Sequence, residues 1–299
     1  MTELELHQQR RARWRQDGAR PLRSVADAAE FMAEVGMCLM YPLHPPVLAP
    51  TFIGACAGTS EDLPTAQQAF RDPRAAQAKE LMLRLLRSRQ AYEAGFAGET
   101  SLLLSEETFP YFYALVGDRN PKRDIRELGE REKSSQLARD AYALIQQQGP
   151  LCKRRLAELL GGAPSEAALD RALGEMWARL RITRVDYRPG EGIFWDALYR
   201  WAPAAVQRGS GISLVQGLSA LISRYLDAVV AAEEVEIEAF FAHLAARSRV
   251  RETLHALLAA RELSFVAVGR KAVVWNTPAP EPRPEPRRRM AARPAGGRR

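Results

Sequence analysis

The chain has 299 residues, 46% of them hydrophobic, and a formal net charge of +7. That is enough for two or three small domains with a sizeable core, so disorder is excluded as the state of the body. No apolar run approaches the roughly 20 residues that span a bilayer, and residues 1–18 lack the apolar stretch of a secretory signal. Three widely spaced cysteines, Cys38, Cys56 and Cys152, form no CxxC pair and fit a reducing compartment. The expected location is cytoplasmic, and the composition has a bacterial character. The charge is concentrated at the ends. Residues 278–299 hold seven Arg against two Glu, and residues 1–24 hold six Arg against three acids, which leaves the stretch between them close to neutral. A basic tail attracts nucleic acid without sequence preference, or serves only as a solvated end.

In chain order, residues 1–23 read as a frayed, Arg-rich helix or arm whose Trp14 docks on the body. Ser24 can cap a helix over 26–35, with Asp27 and Glu30 near its positive end and Gly36 as its stop. The stretch 41–50, with four prolines, excludes regular helix and central strand. Apolar residues Ala78, Leu81, Leu85 and Tyr92 recur at helical spacing, which predicts an amphipathic helix over 73–94. A short strand over 101–105 and a helix over 109–115, closed by Gly117, follow. The charged segment 118–131 reads as a linker.

Beyond the linker, helices are expected over 136–148, 151–160 and from Ser165 to Leu180, separated by Gly149-Pro150 and Gly161-Gly162. The apolar period then changes to two over 182–187 and 193–198, around the turn Arg188-Pro189-Gly190-Glu191-Gly192, which predicts a hairpin. Three helices and a hairpin form a winged-helix pattern. The order recurs as helices over 212–232, 235–246 and 250–260, with a hairpin over 263–268 and 271–275. The fold class is therefore mainly α with small β-hairpins (α+β), built as tandem winged-helix domains. The division is 1–23, a basic arm; 24–130, a mostly helical domain, with a degenerate winged helix as the alternative; 131–206, a winged-helix domain; 207–277, a winged-helix-like domain; and 278–299, a disordered Arg/Pro-rich tail.

No P-loop, GxGxxG, HExxH or GxSxG is present. His243 and His255 fall in neighbouring helices without metal spacing, and no metal or cofactor is expected. Glu106-Glu107 and Glu233-Glu234 read as helix-start and solvated charges. Phe109, Tyr111, Phe112 and Tyr113 read as core, the alternative being stacking on an extruded base. Nucleic-acid contacts are expected at Lys153, Arg154, Arg155, Arg171, Arg179 and Arg188 in the first unit. In the second they are expected at Arg247, Arg249, Arg251, Arg270 and Lys271. The helix from Ser165 balances its arginines with Glu166, Asp170 and Glu175, so it is poorer in charge than a helix built to read DNA.

Three segments carry a resemblance: Val35-Gly36-Met37-Cys38-Leu39-Met40-Tyr41-Pro42, the run from Phe109 to Leu115, and Phe194-Trp195-Asp196. Together with the tandem units they resemble the AlkZ-like (YcaQ-type) bacterial DNA glycosylases, which unhook interstrand crosslinks and remove alkylated bases. The resemblance covers most of 24–275 and implies three winged helices in a C-shaped arrangement, without metal. It also implies a Gln-x-Gln or Gln-x-Asp pair between such a glycine and proline, placed to position the hydrolytic water. Aligned on Gly36 and Pro42, those positions hold Cys38 and Met40, which cannot act as amide or carboxylate. The leading expectation is a double-stranded-DNA-binding protein, directed at damaged DNA, without the family's chemistry. The alternatives are an active glycosylase with displaced catalytic groups and a protein-interaction scaffold.

Overall fold

A computed structural model describes residues 1–98, 100–122 and 134–278. Much of the expected linker and nearly all of the basic tail lie outside the described residues. The chain begins with α1 (Glu3–Arg13), opened by a Thr2–Glu5 capping box. The expected frayed arm is instead a docked helix. The carbonyls at the C-terminal end of the long helix over residues 214–229 have no partners within that helix, and the first helix supplies them. Arg10 Nε donates to Val229 O at 3.0 Å, Trp14 Nε1 donates to Ala228 O at 2.8 Å, and Arg13 donates to Asp227 O. Arg15 is 3% exposed and pairs with Glu34 at 2.9 Å and Glu30 at 3.3 Å. The N-terminal arginines are thus largely spent inside the protein.

The next unit runs α2 (Val25–Val35), β1 (Met37–Leu39), α3 (Phe52–Ala57), α4 (Pro73–Arg87), β2 (Ala91–Phe96) and β3 (Thr100–Ser105). Ser24 caps α2 and Gly36, at φ 69°, ends it, as its residues require. The helix expected over 73–94 stops at Arg87. Arg89 takes a left-handed φ of 59°, and the chain turns into a strand carrying Tyr92 and Ala94. The helical spacing of Tyr92 was coincidental; Tyr92, Ala94 and Phe96 share one sheet face. The three strands form an antiparallel sheet in the order β1-β3-β2.

After α5 (Phe109–Val116), the middle unit repeats this plan: α6 (Gln136–Gln148), β4 (Leu151–Cys152), α7 (Lys153–Leu159), α8 (Glu166–Ala178), β5 (Ile182–Arg188) and β6 (Gly192–Ala197). Its sheet order is β4-β6-β5, equivalent to that of the first sheet. The helix expected over 151–160 is therefore shorter, because Leu151 and Cys152 pair with Trp195 and Phe194 before it begins. Two short helices, α9 (Leu198–Trp201) and α10 (Pro203–Gly211), lead to α11 (Leu214–Val229). The single helix expected over 212–232 starts only at Leu214, where Ser213 and Gln216 form a capping box. The last unit continues with α12 (Glu234–Phe241), α13 (Arg247–Ala259), β7 (Leu263–Val268) and β8 (Lys271–Asn276). An isolated antiparallel bridge, Ala232 to Val274, stands where the other units have their first strand.

Helix, strand or bridge, two helices and a hairpin thus occur three times, so the first unit shares the plan that the residue pattern showed only in the later two and that the resemblance implied for it as well. The fold is mainly α with small antiparallel sheets. Its largest core joins one face of the first sheet (Met37, Leu39, Tyr92, Leu102, Leu104) to α5, α11, α12 and α13. The opposite face is sealed by α2, α3 and α4, and the middle unit has a core of its own around Tyr142, Leu173 and Trp195. Among the described residues no helix is long and apolar enough to cross a membrane.

Candidate functional site

The hairpin β2–β3, α8 and the turn after α12 meet around a cleft of about 750 Å³, lined among others by Phe96, Phe112, Trp177, Arg184, His243 and Leu244. The hairpin and α8 approach closely here: a Cβ on Gly95 would stand in ordinary contact with the Trp177 ring, at 3.6 Å. A second cleft, of about 430 Å³, adjoins it and shares Tyr41, Ala66, Ser101 and Arg184 as a wall. The helix expected to enter the major groove therefore presents Gly174, Trp177 and Ala178 to an internal cleft, packed close to the first hairpin.

The polar centre of the two clefts is an ion pair that the sequence reading missed. Arg184 Nη2 donates to Glu93 Oε1 at 2.7 Å and to Ser101 Oγ at 3.1 Å. Its guanidinium lies 4.2 Å from the centre of the Trp177 ring, within cation–π reach. Glu93 Oε2, Arg184 Nε and Trp177 Nε1 are buried and have no hydrogen-bond partner among the described residues. Burial raises the pKa of the Tyr41 phenol, and the neighbouring Glu93 charge adds to the effect.

The strand register relates this pair to the resemblance. Cys38 pairs with Leu103, and Leu103 pairs with Glu93 on its other side, so all three stand on one sheet face. Met40 donates its backbone N–H to Ser101 O at 2.8 Å and lines the second cleft together with Glu93. Cys38 is 1% exposed and Met40 3%. Burial pushes the Cys38 thiol well up from its ordinary value, so it is no nucleophile.

The expected nucleic-acid contacts divide into two groups. Lys153 pairs with Asp170 at 2.9 Å, Arg155 with Glu158 at 2.9 Å, and Arg188 with Asp186 at 3.2 Å. Arg251 binds both oxygens of Glu238 at 2.9 Å, Lys271 reaches Glu233 at 2.5 Å, and Arg179 donates to Ser134 Oγ at 2.6 Å. Arg154, Arg171, Arg247, Arg249 and Arg270 are exposed, with no carboxylate partner among the described residues. None of these five lines the larger cleft; Arg171 lies one turn before its Gly174 on α8, and Arg247 and Arg249 open α13 a few residues after its His243 and Leu244. The structure does not bring all eleven together. Phe109, Phe112 and Tyr113 are buried core, as expected, though Phe112 also reaches the cleft. The His243 ring lies 5.1 Å from that of Phe96, tilted by 57°, whereas His255 lies 3.7 Å from Glu234.

Glu93 was missed because the helix expected over 73–94 made it one more solvated charge. The alternation of Tyr92, Ala94 and Phe96 around it, followed by Gly98, was the available strand signal.

The family model for AlkZ-like DNA glycosylases matches residues 55–293. The segment from Gly36 to Pro42 precedes that match. Among solved structures, a DNA glycosylase AlkZ from Streptomyces sahachiroi matches with a TM-score of 0.60 at 12% identity, covering 93% of this chain and 70% of that one. At that identity the likeness is one of fold. No curated protein matches.

Proposed function

The chain belongs to the AlkZ-like DNA glycosylase family, and from that premise we propose that it binds damaged double-stranded DNA at the cleft between its three units. The observation that carries this reading is the cleft of about 750 Å³, which has room for a nucleobase and is lined by Trp177, Phe112 and Phe96. Arg171, Arg247 and Arg249 stand within a few residues of its lining in sequence and need break no ion pair to meet a phosphate. Arg154 and Arg270 are further exposed arginines open to phosphate. Lys153, Arg179, Arg251 and Lys271 tie their elements to neighbouring segments, and Arg155 and Arg188 pair within their own elements. The three units are read as winged helices, with 1–23 belonging to the body and 278–299 adding sequence-independent attraction. In this reading α8 forms a wall of the cleft and leaves the major groove unread, and Cys38 and Met40 take no chemical part. A cytoplasmic, DNA-repair role goes with it.

Salt-dependent binding to a duplex tests this. Each phosphate neutralised contributes about −0.9 to the slope of log affinity against log salt. A chain ending at Thr277 is expected to bind more weakly with a shallower, still negative slope. R171E combined with R247E is expected to weaken binding by the truncated chain at least about tenfold, since like charge meets the backbone. Loss of all retention on truncation alone would leave the body without a DNA surface and favour the protein-scaffold alternative.

A further inference from the structure

Between the first and middle units two sheets meet without joining. β2 is the outer strand of the order β1-β3-β2 and β5 the outer strand of β4-β6-β5, and the sheets stay separate. Arg184 of β5 nonetheless reaches Glu93 of β2, so two strand edges face each other with side chains in place of a backbone ladder. Three polar contacts cross this seam. Arg184 Nη2 binds Glu93 Oε1 and Ser101 Oγ. Arg87, in the last turn of α4, donates from Nε to Asp186 Oδ1 at 2.7 Å and from Nη2 to Tyr187 O at 3.0 Å. The Lys79 ammonium lies 4.9 Å from the centre of the Tyr187 ring. The apolar share is Trp177 beside Gly95, together with Val185, which packs on the largest core.

Such a seam is weakly held. The Arg87 and Asp186 side chains are 49% and 25% exposed, and ion pairs in that setting contribute little and are screened by salt. Arg184 meets Glu93 through one nitrogen rather than the two-pronged grip that makes such pairs strong. Glu93 Oε2, Arg184 Nε and Trp177 Nε1 gain no hydrogen bond among the described residues, so parting the seam gives these groups back to water. The core sealed by α2, α3 and α4 contains no residue of the middle unit, and the middle unit's core contains none of the first. The firm attachment is at the base of the middle unit. There Leu180, Leu198 and Trp201 enter the core shared by the first and last units, and Arg181 pairs with Asp118.

We propose that the seam is a salt-labile latch: the middle unit swings away from the first about that base, and the two clefts, which Arg184 divides, become one groove. The proposal rests on the DNA-binding reading above and adds the motion by which a duplex, too wide to enter a cleft of about 750 Å³, reaches its lining. The duplex itself releases the latch. Its phosphate oxygens match the planar forks of Arg87 and Arg184 and take the place of Asp186 and Glu93.

The test reads the distance between the two units in the full chain. Q77C on α4 and A167C on α8 are both at exposed positions and carry a fluorescent donor and acceptor, while the native thiols are buried. Ala167 lies at the end of α8 remote from the base, so a swing displaces it strongly. Energy transfer is expected to fall as salt rises from about 0.05 to about 1 M, over which screening shortens several-fold. It is expected to fall at low salt when a duplex saturates the protein. E93L with R184M replaces the buried pair by apolar groups that hold the seam without charge. That variant is expected to keep its transfer at every salt concentration and to bind duplex about tenfold more weakly. Transfer in the otherwise wild-type chain that is unmoved by salt, or unmoved by bound duplex, overturns the proposal and leaves the DNA-binding reading standing. So does an E93L/R184M seam that opens as the wild type does. A duplex that is not retained overturns the DNA-binding reading, and the salt response then decides the latch. Should E93L/R184M fail to fold, D186N takes its place. It weakens the exposed pair and is expected to lower the salt concentration of half-opening by about twofold; an unchanged midpoint overturns the latch.

Discussion

Individual side chains here are governed by where burial leaves them. Cys38, Cys56 and Cys152 are all buried. Burial lifts the Cys38 thiol well above its ordinary value and pushes that of Cys56 to about 12. A thiol alkylates through its thiolate; burial disfavours that form at Cys38 and Cys56, and it shields all three thiols from the reagent. Native protein at pH 8 is expected to leave all three thiols unlabelled by iodoacetamide over minutes, with three labels per chain after unfolding in guanidinium, read by mass spectrometry. Rapid labelling of Cys38 in the native state would contradict its place in the core. Glu93 shows the opposite outcome of burial, a charge kept inside because Arg184 meets it.

Among elements, the decisive contact is the packing of α5 against α10 and α11. Gly209 and Gly217 bring both helices close to it. A Cβ on Gly209 would lie 2.8 Å from Pro110 O and 2.8 Å from Tyr113 Cβ, and one on Gly217 would lie 2.9 Å from Tyr111 O. These neighbours include backbone atoms, which cannot move as a side-chain tip does. Alanine is the better helix former, yet here overpacking dominates. G209A and G217A are each expected to destabilise by about 1–3 kcal/mol, measured by chemical denaturation. G174A, where a Cβ meets nothing within 4 Å, is the control, expected to be neutral or stabilising by up to about 1 kcal/mol.

For the whole molecule, the three repeats of one plan are unequal in independence. The middle unit encloses its own core of Ala138, Tyr142, Ile145, Leu173, Met176 and Trp195. The first unit shares a sheet face, including Met37, Leu39, Tyr92 and Leu104, with the last. Cut from the chain, a fragment 134–202 should give dispersed amide resonances and a cooperative thermal transition. A fragment 24–117 should not, because that apolar face would meet water. Cooperative folding of the latter would mean that the shared core is dispensable. The cleft belongs to this scale too, since its lining comes from the first hairpin, α8 and the turn after α12.

The sequence by itself determined the local elements with strong caps and stops. Ser24 and Gly36 bound α2, Ser135 and Gly149 bound α6, and Gly269 turns the last hairpin. Such signals act over a few residues, so a chain read in order contains them. It also disclosed the family, through the arrangement of helices and hairpins. Tertiary structure decided the rest, because pairings distant in sequence leave no local period. Two-residue β4 exists only because β6 lies beside it. Tyr92 and Glu93 are strand residues because β3 pairs with them. The partners of the arginines lie as far away as Val229 for Arg10 and Glu93 for Arg184. Net charge counted those side chains as free, and only the fold showed which were already committed.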